Sequence, residues 1–133
     1  MQYLLMIYGN EAAMAAASPA DAEKMTGAYM AYTEAMNKAG VYVGGERLRP
    51  TSSATTVTGT NGKTKVLNGP YAETKEQLGG YYMIDVPDLD AALSWAQRCP
   101  GAARGSIEVR PIWPLTEYVR NDSGSDSHVA KAR

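Results

Sequence analysis

The pattern of hydrophobic positions in the first third of the chain predicts a strand followed by a long helix. Residues 3–8 (YLLMIY) form a continuous apolar run, which is typical of a β-strand that is covered on both faces. Ser18 and Pro19 predict the N-cap and the first residue of a helix, which we expect to end at Gly40. Inside it, apolar side chains recur at helical spacing and predict one buried stripe, made of Met25, Tyr29, Tyr32 and Met36.

The rest of the chain predicts a second strand–helix–strand unit with a hairpin inserted before it. Residues 41–43 begin a strand that we expect Gly44 and Gly45 to close. Asn61 and Gly62 predict the turn of a β-hairpin. The other expected elements are hairpin strands at 53–58 and 63–67, an apolar strand at 81–86, a helix from the N-cap Asp88 to about residue 100, and a last strand at 106–112.

This order, β-α-β-(hairpin)-β-α-β, predicts a ferredoxin-like α+β sandwich over residues 1–118, with both helices on one face of the sheet. Residues 119–133 are polar and predict a flexible tail. The strands at 3–8 and 81–86 are apolar on both sides, so the sheet face without helices would expose apolar side chains. We therefore predict a homodimer in which two sheets face each other.

Composition and charge narrow the class of protein. A chain of 133 residues with a net charge of −1 suits one domain and gives no broad basic field for direct contact with nucleic acid. No segment approaches the roughly 20 apolar residues of a membrane span, and no signal peptide is evident, so we expect a cytoplasmic protein without membrane contact. The single cysteine, Cys99, is either a buried small hydrophobe or a reactive thiol, and its place on the apolar side of a helix end favours burial.

One long segment resembles a known family. Residues 68–100 (NGPYAETKEQLGGYYMIDVPDLDAALSWAQRCP) are similar to the signature of the YCII-related, DGPF-domain family, and residues 3–8, 44–48 and 107–112 also fit, so that the resemblance spans about residues 2–115. The resemblance implies a dimeric α/β barrel without a cofactor. It also implies two kinds of role, because some members are associated with extracytoplasmic-function sigma factors, while a related branch includes a dehydrochlorinase that uses a His-Asp pair.

The sequence differs from that family signature at two positions of its first four residues. Asn68 stands where the family usually has Asp, and Tyr71 where it has Phe. An amide does not accept a proton near neutral pH, so Asn68 is a candidate ligand contact and not a base. The only histidine, His128, falls in the predicted tail, which excludes a His-Asp dyad or a histidine metal site within the domain.

Acidic residues near the glycine pairs are the remaining candidates for catalysis. Glu73 and Glu76 are three residues apart, and in a helical turn their carboxylates would share a face and shift one pKa upward. In the last strand, alternation places Glu108 and Arg110 on one face, where Arg110 suits an acidic ligand or one of these glutamates. The alternatives are a solvated charged loop and a structural ion pair.

Further side chains are candidate ligand contacts. Tyr71, Tyr81 and Tyr82 would line an aromatic pocket or simply pack in the core and interface. Three more residues complete the set of candidate ligand contacts: Glu46 as a pocket acid or turn residue, Lys75 as a loop cation, and Glu108 on the last strand. We therefore predict Glu73, Glu76 and Arg110 as catalytic residues of a cofactor-free lyase, isomerase or cyclase that acts on a small organic ligand. The alternatives are an accessory module that works with a sigma factor and a purely structural loop.

Overall fold

The computed structural model describes residues 1–117, so the predicted tail and His128 lie outside the described residues. The elements are β1 (Gln2–Gly9), α1 (Glu11–Ala15), α2 (Pro19–Lys38), β2 (Tyr42–Arg47), β3 (Thr55–Thr60), β4 (Lys63–Asn68), β5 (Gln77–Asp85), α3 (Leu89–Arg98) and β6 (Ser106–Pro111), with 3-10 turns at Thr51–Ser53 and Pro100–Ala103.

Four strands form one antiparallel sheet in the order β2-β5-β1-β6. Among the described strands, β3 and β4 pair only with each other, as a separate two-stranded sheet. Asn61 and Gly62 turn this hairpin with positive φ angles of 53° and 78°, as the sequence predicts. The order of the four-stranded sheet and the two helices confirm the ferredoxin-like α+β fold.

Helix boundaries follow from the capping residues that the sequence offers. The Ser18 side chain accepts a hydrogen bond from the Asp21 backbone N–H at 3.1 Å and so begins α2. Gly40 adopts a positive φ of 72° just after the C-cap of α2 and ends it. Asp88 accepts from the Ala91 backbone N–H at 2.9 Å and begins α3.

The core lies between one face of the sheet and the two long helices. Leu5 and Ile84 from the central strands and Met36 from α2 have no exposed surface. The predicted stripe of α2 faces this core, with Tyr32 and Met36 buried and the other two members half-buried. Cys99 is 3% exposed and belongs to the core, which confirms the prediction of a buried residue.

One helix was not predicted, and two predicted strands begin at other residues. The short helix α1 was not predicted, although the Asn10 side chain caps it by accepting from the Ala13 backbone N–H at 2.9 Å. The predicted strand at 53–58 begins at Thr55, because Thr51–Ser53 forms a 3-10 turn. The predicted strand at 81–86 begins earlier, at Gln77, so its glycine pair lies inside the strand.

The expectation that Gly44 and Gly45 close a strand is also wrong, because β2 continues through both to Arg47. A Cβ atom on Gly45 would lie 2.7 Å from the carbonyl oxygen of Tyr81 on β5. A Cβ on Gly80 would likewise lie 2.8 Å from the carbonyl oxygen of Glu46. These glycines therefore permit the close approach of β2 to β5 and do not mark turns.

Candidate functional site

The face of the sheet opposite the helices, which we call the open face, has an apolar centre. The strand registers place six half-buried side chains there: Leu4, Met6 and Tyr8 from β1, and Leu78, Tyr81 and Met83 from β5. None of the six belongs to the buried core cluster or packs against it. These strands are thus apolar on both sides, and nothing else in residues 1–117 covers one of the two sides.

Charged side chains lie at both edges of this apolar centre. Glu46 on β2 is opposite Tyr81, which is opposite Met6, which in turn is opposite Glu108 on β6. Because neighbouring strands lie about 4.8 Å apart, the backbones of Glu46 and Glu108 are separated by roughly 14 Å. The two carboxylates therefore frame the open face from opposite edges and do not form a close pair in one chain.

Arg110 lies in the neighbouring row of the open face, opposite Leu4. Its Nε is 4.0 Å from the Glu108 Oε2, and the two side chains are 70% and 49% exposed. An ion pair at this distance and exposure contributes between about 0 and 1 kcal/mol, so a ligand can replace it at little cost. Within residues 1–117, neither Glu73 nor Glu76 forms an ion pair with Arg110.

The β4–β5 loop (residues 69–76) separates the two candidate glutamates. Residues 73–76 form no helix, so the condition that would put Glu73 and Glu76 on one face is not met. Glu76 is half-buried, and its Oε1 accepts a hydrogen bond from the Ser106 hydroxyl at 2.8 Å. Since Ser106 is at the start of β6, two residues before Glu108, Glu76 lies at the rim of the open face.

Glu73 lies in a different place, a shallow cleft of about 210 Å³ beside the open base of the hairpin. Its lining residues are Thr51, Ser52, Pro70, Ala72, Glu73, Thr74 and Gln77. The structure thus places Glu76, and not Glu73, beside β6, the strand that carries Arg110. The catalytic role of either glutamate stays a prediction.

The other candidate contacts divide between these regions. Tyr81 and Glu46 are on the open face, whereas Tyr71 is 88% exposed on the β4–β5 loop. Asn68 and Lys75 are also exposed, the first at the end of β4 and the second on the loop. The structure therefore places Glu46, Tyr81, Glu108 and Arg110 on the open face with Glu76 at its rim, and leaves the other candidates elsewhere.

The predicted aromatic pocket of Tyr71, Tyr81 and Tyr82 does not form in the single chain, because successive residues of a strand point to opposite faces. Tyr82 points to the helix side, where its hydroxyl lies 2.8 Å from the Thr33 hydroxyl. Burial raises the pKa of the Tyr82 phenol, and the Thr33 hydrogen bond opposes that rise. Tyr82 is thus part of the core.

A cluster of hydroxyl and thiol groups on the helix side was not predicted. Burial raises the pKa values of the Tyr29 and Tyr32 phenols well above the usual value for tyrosine. Burial also raises the pKa of the Cys99 thiol, whose Sγ lies 3.9 Å from the Tyr29 hydroxyl. Raised pKa values keep these groups protonated and unreactive, so we assign the cluster to packing.

Among residues 1–117, no group of three or more His, Cys, Asp or Glu side chains is placed to hold a metal ion. No helix in that range is long and apolar enough to cross a membrane.

The fold and the open face define a ferredoxin-like α+β protein whose uncovered sheet face combines an apolar centre with a charged rim. The family model of the YCII-related domain matches residues 1–116. The chain belongs to this YCII-related family, which confirms the resemblance seen in the sequence.

Two known proteins are similar to this chain, one in sequence and one in structure. An uncharacterized protein of Rhizobium meliloti (strain 1021) is 39% identical over 114 residues, which cover 84% of this chain and 92% of that protein. A solved structure of 5-chloro-2-hydroxyhydroquinone dehydrochlorinase from Burkholderia phenoliruptrix AC1100, in complex with 2,5-dihydroxybenzoquinone, matches with a TM-score of 0.50. That match is 13% identical and covers 85% of this chain and 94% of the other, so it shows a shared fold.

Proposed function

We propose that the open face is the floor of a small-molecule site, completed by a second copy of the chain, and that it performs cofactor-free lyase or isomerase chemistry on an organic acid or phenol. The observation that supports this proposal is the combination on one face of an apolar centre with Glu46, Tyr81, Glu108 and Arg110. Ligand sites in proteins have this composition, an apolar lining with a few convergent polar groups.

A second copy is proposed because the apolar centre is uncovered. The six side chains of the centre are half-buried, and together they form a continuous surface across the two central strands. A contiguous apolar patch of this kind is typical of an interface, and pairing two such faces would remove both from water. The cleft between the two sheets would then exclude water from the charged rim.

The side chains of the open face suggest how such a site would work. Arg110 is a permanently charged donor fork that suits a carboxylate or phenolate oxygen of a ligand. Residues 1–117 contain no histidine, so proton transfer would depend on a carboxylate or a phenol. Glu108 and Glu76 are on the same side of the open face as Arg110, and Tyr81 is at its centre.

The dehydrochlorinase supplies a suitable probe for this hypothesis. Its structure contains 2,5-dihydroxybenzoquinone, which is a small, planar and acidic molecule. A molecule of this kind matches the proposed class of ligand, because it offers an apolar ring for the centre and an anionic oxygen for Arg110. It therefore serves as the test molecule for this class of ligand.

The experiment is a calorimetric titration of the full chain with 2,5-dihydroxybenzoquinone. We expect Arg110→Gln to weaken binding at least tenfold, about 1.4 kcal/mol, because the anionic oxygen loses its charged partner. Glu108→Gln should bind as well as the wild type or more tightly, because it removes the carboxylate that competes for Arg110. The control Lys65→Gln changes an exposed charge on the hairpin and should leave binding unchanged.

Equal affinity of the wild type and of Arg110→Gln for the probe would contradict the proposal, because it would show that the probe does not bind at the open face. If the wild type does not bind the probe, hydroxyquinones are excluded as the class of ligand. That second outcome would favour the accessory role that the family resemblance also implies, and a co-purification test with an extracytoplasmic-function sigma factor would then be the next measurement.

A further inference from the structure

Tyr8 is a member of the open face whose hydroxyl the proposed function leaves unused. The sequence pattern marks it only as the last residue of an apolar run. Its neighbour Ile7 packs against the core, so the alternation of β1 places the Tyr8 side chain on the opposite, open face. The side chain is half-buried there. Tyr8 therefore brings a polar hydroxyl to the apolar centre of the candidate site.

The phenols of the open face differ from those of the core in their hydrogen bonds. Within residues 1–117, the tyrosine hydroxyls that form a side-chain hydrogen bond belong to or pack against the core: Tyr3, Tyr29, Tyr32 and Tyr82. The hydroxyls of Tyr8 and Tyr81 have no partner in that range. A tyrosine hydroxyl that is taken out of water usually finds a partner. These two hydroxyls are therefore donors that the described part of the chain does not use.

Tyr8 and Tyr81 are near enough to act on one ligand. Tyr81 is opposite Met6, and Tyr8 lies two positions further along β1 on the same face. Diagonal neighbours of this kind lie roughly 7–8 Å apart, which aromatic side chains can bridge. The two phenols can therefore donate to the same small molecule.

The backbone of Tyr8 is fixed from both sides. The register between β1 and β5 shifts after Ile7, so that Gly79 forms a β-bulge beside Tyr8. Bulges re-aim side chains and are over-represented next to active sites. On the other side Tyr8 pairs with Ser106, and a Cβ atom on Gly105 would overlap the Tyr8 carbonyl oxygen. The regular pairing of the sheet thus sets the position of this phenol.

The open face has two chemically different ends. Arg110 is opposite Leu4, four residues before Tyr8 on β1, which is roughly 13 Å along the strand. Tyr8 is opposite Ser106, whose hydroxyl donates to the Glu76 carboxylate and is therefore not free to donate to a ligand. One end therefore carries a permanent positive charge, and the other carries a neutral donor next to a carboxylate.

We propose that Tyr8 is a specificity-determining ligand contact, which donates its hydroxyl hydrogen to a neutral acceptor oxygen of the ligand while Arg110 binds an anionic oxygen. Tyr81 is the second donor. The ligand class is therefore a ring with an anionic oxygen on one side and a carbonyl oxygen on the other. The inference rests on the proposed function and narrows its range of organic acids and phenols, because a ring without the carbonyl leaves the phenols unpaired.

The first measurement is a calorimetric titration of the full chain with 2,5-dihydroxybenzoquinone. Tyr8→Phe removes only the hydroxyl and should weaken binding about threefold to tenfold, the effect of one neutral hydrogen bond. The matched control is Tyr42→Phe. Tyr42 is also half-buried, and its hydroxyl has no side-chain partner within residues 1–117, but it packs on the helix side. This control should bind the probe as the wild type does.

The second measurement compares two benzoates of similar size, 4-formylbenzoate and 4-methylbenzoate. Both offer a carboxylate to Arg110, and only the first has a carbonyl oxygen on the opposite side of the ring. We expect Tyr8→Phe to lower the preference of the wild type for 4-formylbenzoate about threefold to tenfold, by weakening that ligand alone. Arg110→Gln should weaken both benzoates by a similar factor, because it acts on the carboxylate that they share.

The third measurement separates a ligand contact from a structural one. If the Tyr8 hydroxyl is reserved for a ligand, the urea midpoint and the dimer dissociation constant of Tyr8→Phe should equal those of the wild type. A lower midpoint or a weaker dimer would show that the hydroxyl bonds within the protein or to the partner subunit, and would overturn the inference.

The outcomes distinguish the inference from the proposed function. If Arg110→Gln loses affinity while Tyr8→Phe binds every probe as the wild type does, the open-face site stands and the role of Tyr8 is wrong. If Tyr8→Phe loses affinity and Arg110→Gln does not, Tyr8 is a ligand contact and the anionic end is wrong. A wild type that binds neither the quinone nor 4-formylbenzoate would overturn both.

Discussion

Replacing Tyr32 with Phe measures how much one buried hydroxyl contributes to the helix side of the sheet. Tyr32 is 6% exposed, and its hydroxyl donates to the Trp95 carbonyl oxygen at 2.7 Å. That carbonyl lies in the last turns of α3, where the Cys99 N–H bonds to the Ala96 carbonyl oxygen instead. The hydroxyl of Tyr32 therefore satisfies a backbone acceptor that the end of the helix leaves open.

The expected magnitude follows from what the variant keeps and what it removes. Phe retains the ring that packs edge-on against Tyr82 and Trp95, at centroid distances of 5.4 and 6.1 Å. Only the hydrogen bond is lost, and a buried acceptor without a partner costs about 1–3 kcal/mol. With a urea m-value of about 2 kcal/mol/M, the unfolding midpoint of Tyr32→Phe should fall by about 0.5–1.5 M.

The control is Tyr82→Phe, which removes a hydroxyl of the same cluster with a smaller consequence. Tyr82 shares its hydrogen bond with Thr33, which also donates to the Tyr29 carbonyl oxygen at 2.9 Å and so keeps a partner. We expect a loss of about 0.5–1 kcal/mol. Both variants are unfolded in urea at one protein concentration, because coupling to a dimer would shift the midpoint. Equal losses, or a neutral Tyr32→Phe, would refute the reasoning.

The same hydroxyl predicts a dependence on alkaline pH. Burial raises the pKa of Tyr32 in the folded state, whereas in the unfolded chain it ionises near its usual value of about 10. Its contribution to the free energy of unfolding is therefore complete below about pH 10 and is lost as the pH rises toward the folded value. Above pH 10 the stability of the wild type should fall more steeply than that of Tyr32→Phe.

Three further predictions concern the open face, the β2–β5 contact and the thiol. Met6→Lys at the centre of the open face should convert a dimer to a monomer in analytical ultracentrifugation, while the circular dichroism spectrum is retained. A wild type that is monomeric at micromolar concentration would contradict the proposed homodimer. Gly45→Ala should cost about 1–3 kcal/mol in urea unfolding, because its Cβ would meet a carbonyl oxygen at 2.7 Å, whereas Gly44→Ala, with open space around it, should be nearly neutral. Cys99 should react with iodoacetamide at pH 8 at least 100-fold more slowly in the native chain than in urea, because it is buried and its pKa is raised; rapid native alkylation would show the thiol to be accessible.

The features predicted correctly from the sequence are those with local causes. Ser18 and Gly40 bound α2 through contacts with residues a few positions away, and Asn61 with Gly62 turns the hairpin because both accept positive φ. The apolar run at 3–8 predicted β1 because a short continuous apolar segment is a property of the strand itself. In the last strand, the alternation of side chains between the two faces placed Glu108 correctly, away from the core.

The features that the sequence missed depend on distant partners. Gly45 is needed inside β2 because of a carbonyl on β5, 36 positions later, so the local pattern suggested a turn. The contact of Glu11 with Thr51 spans 40 positions of the chain, and that of Glu76 with Ser106 spans 30. Five residues of α1 give too weak a periodicity to predict a helix, although Asn10 before Glu11 is a usable capping signal.

The two faces of the sheet differ in how completely their polar groups are satisfied, and this difference locates the candidate site. On the helix side, the hydroxyls of Tyr32, Tyr82 and Thr33 all have partners, and in residues 1–117 no buried side-chain nitrogen or oxygen lacks one. A satisfied and buried group has little capacity to bind anything else. On the open face, the partner of Arg110 within residues 1–117 is a weak, exposed one at 4.0 Å, and nothing else in that range covers the neighbouring apolar side chains. Binding energy is available only where such groups remain to be satisfied, so the chemistry of this protein is expected on the open face.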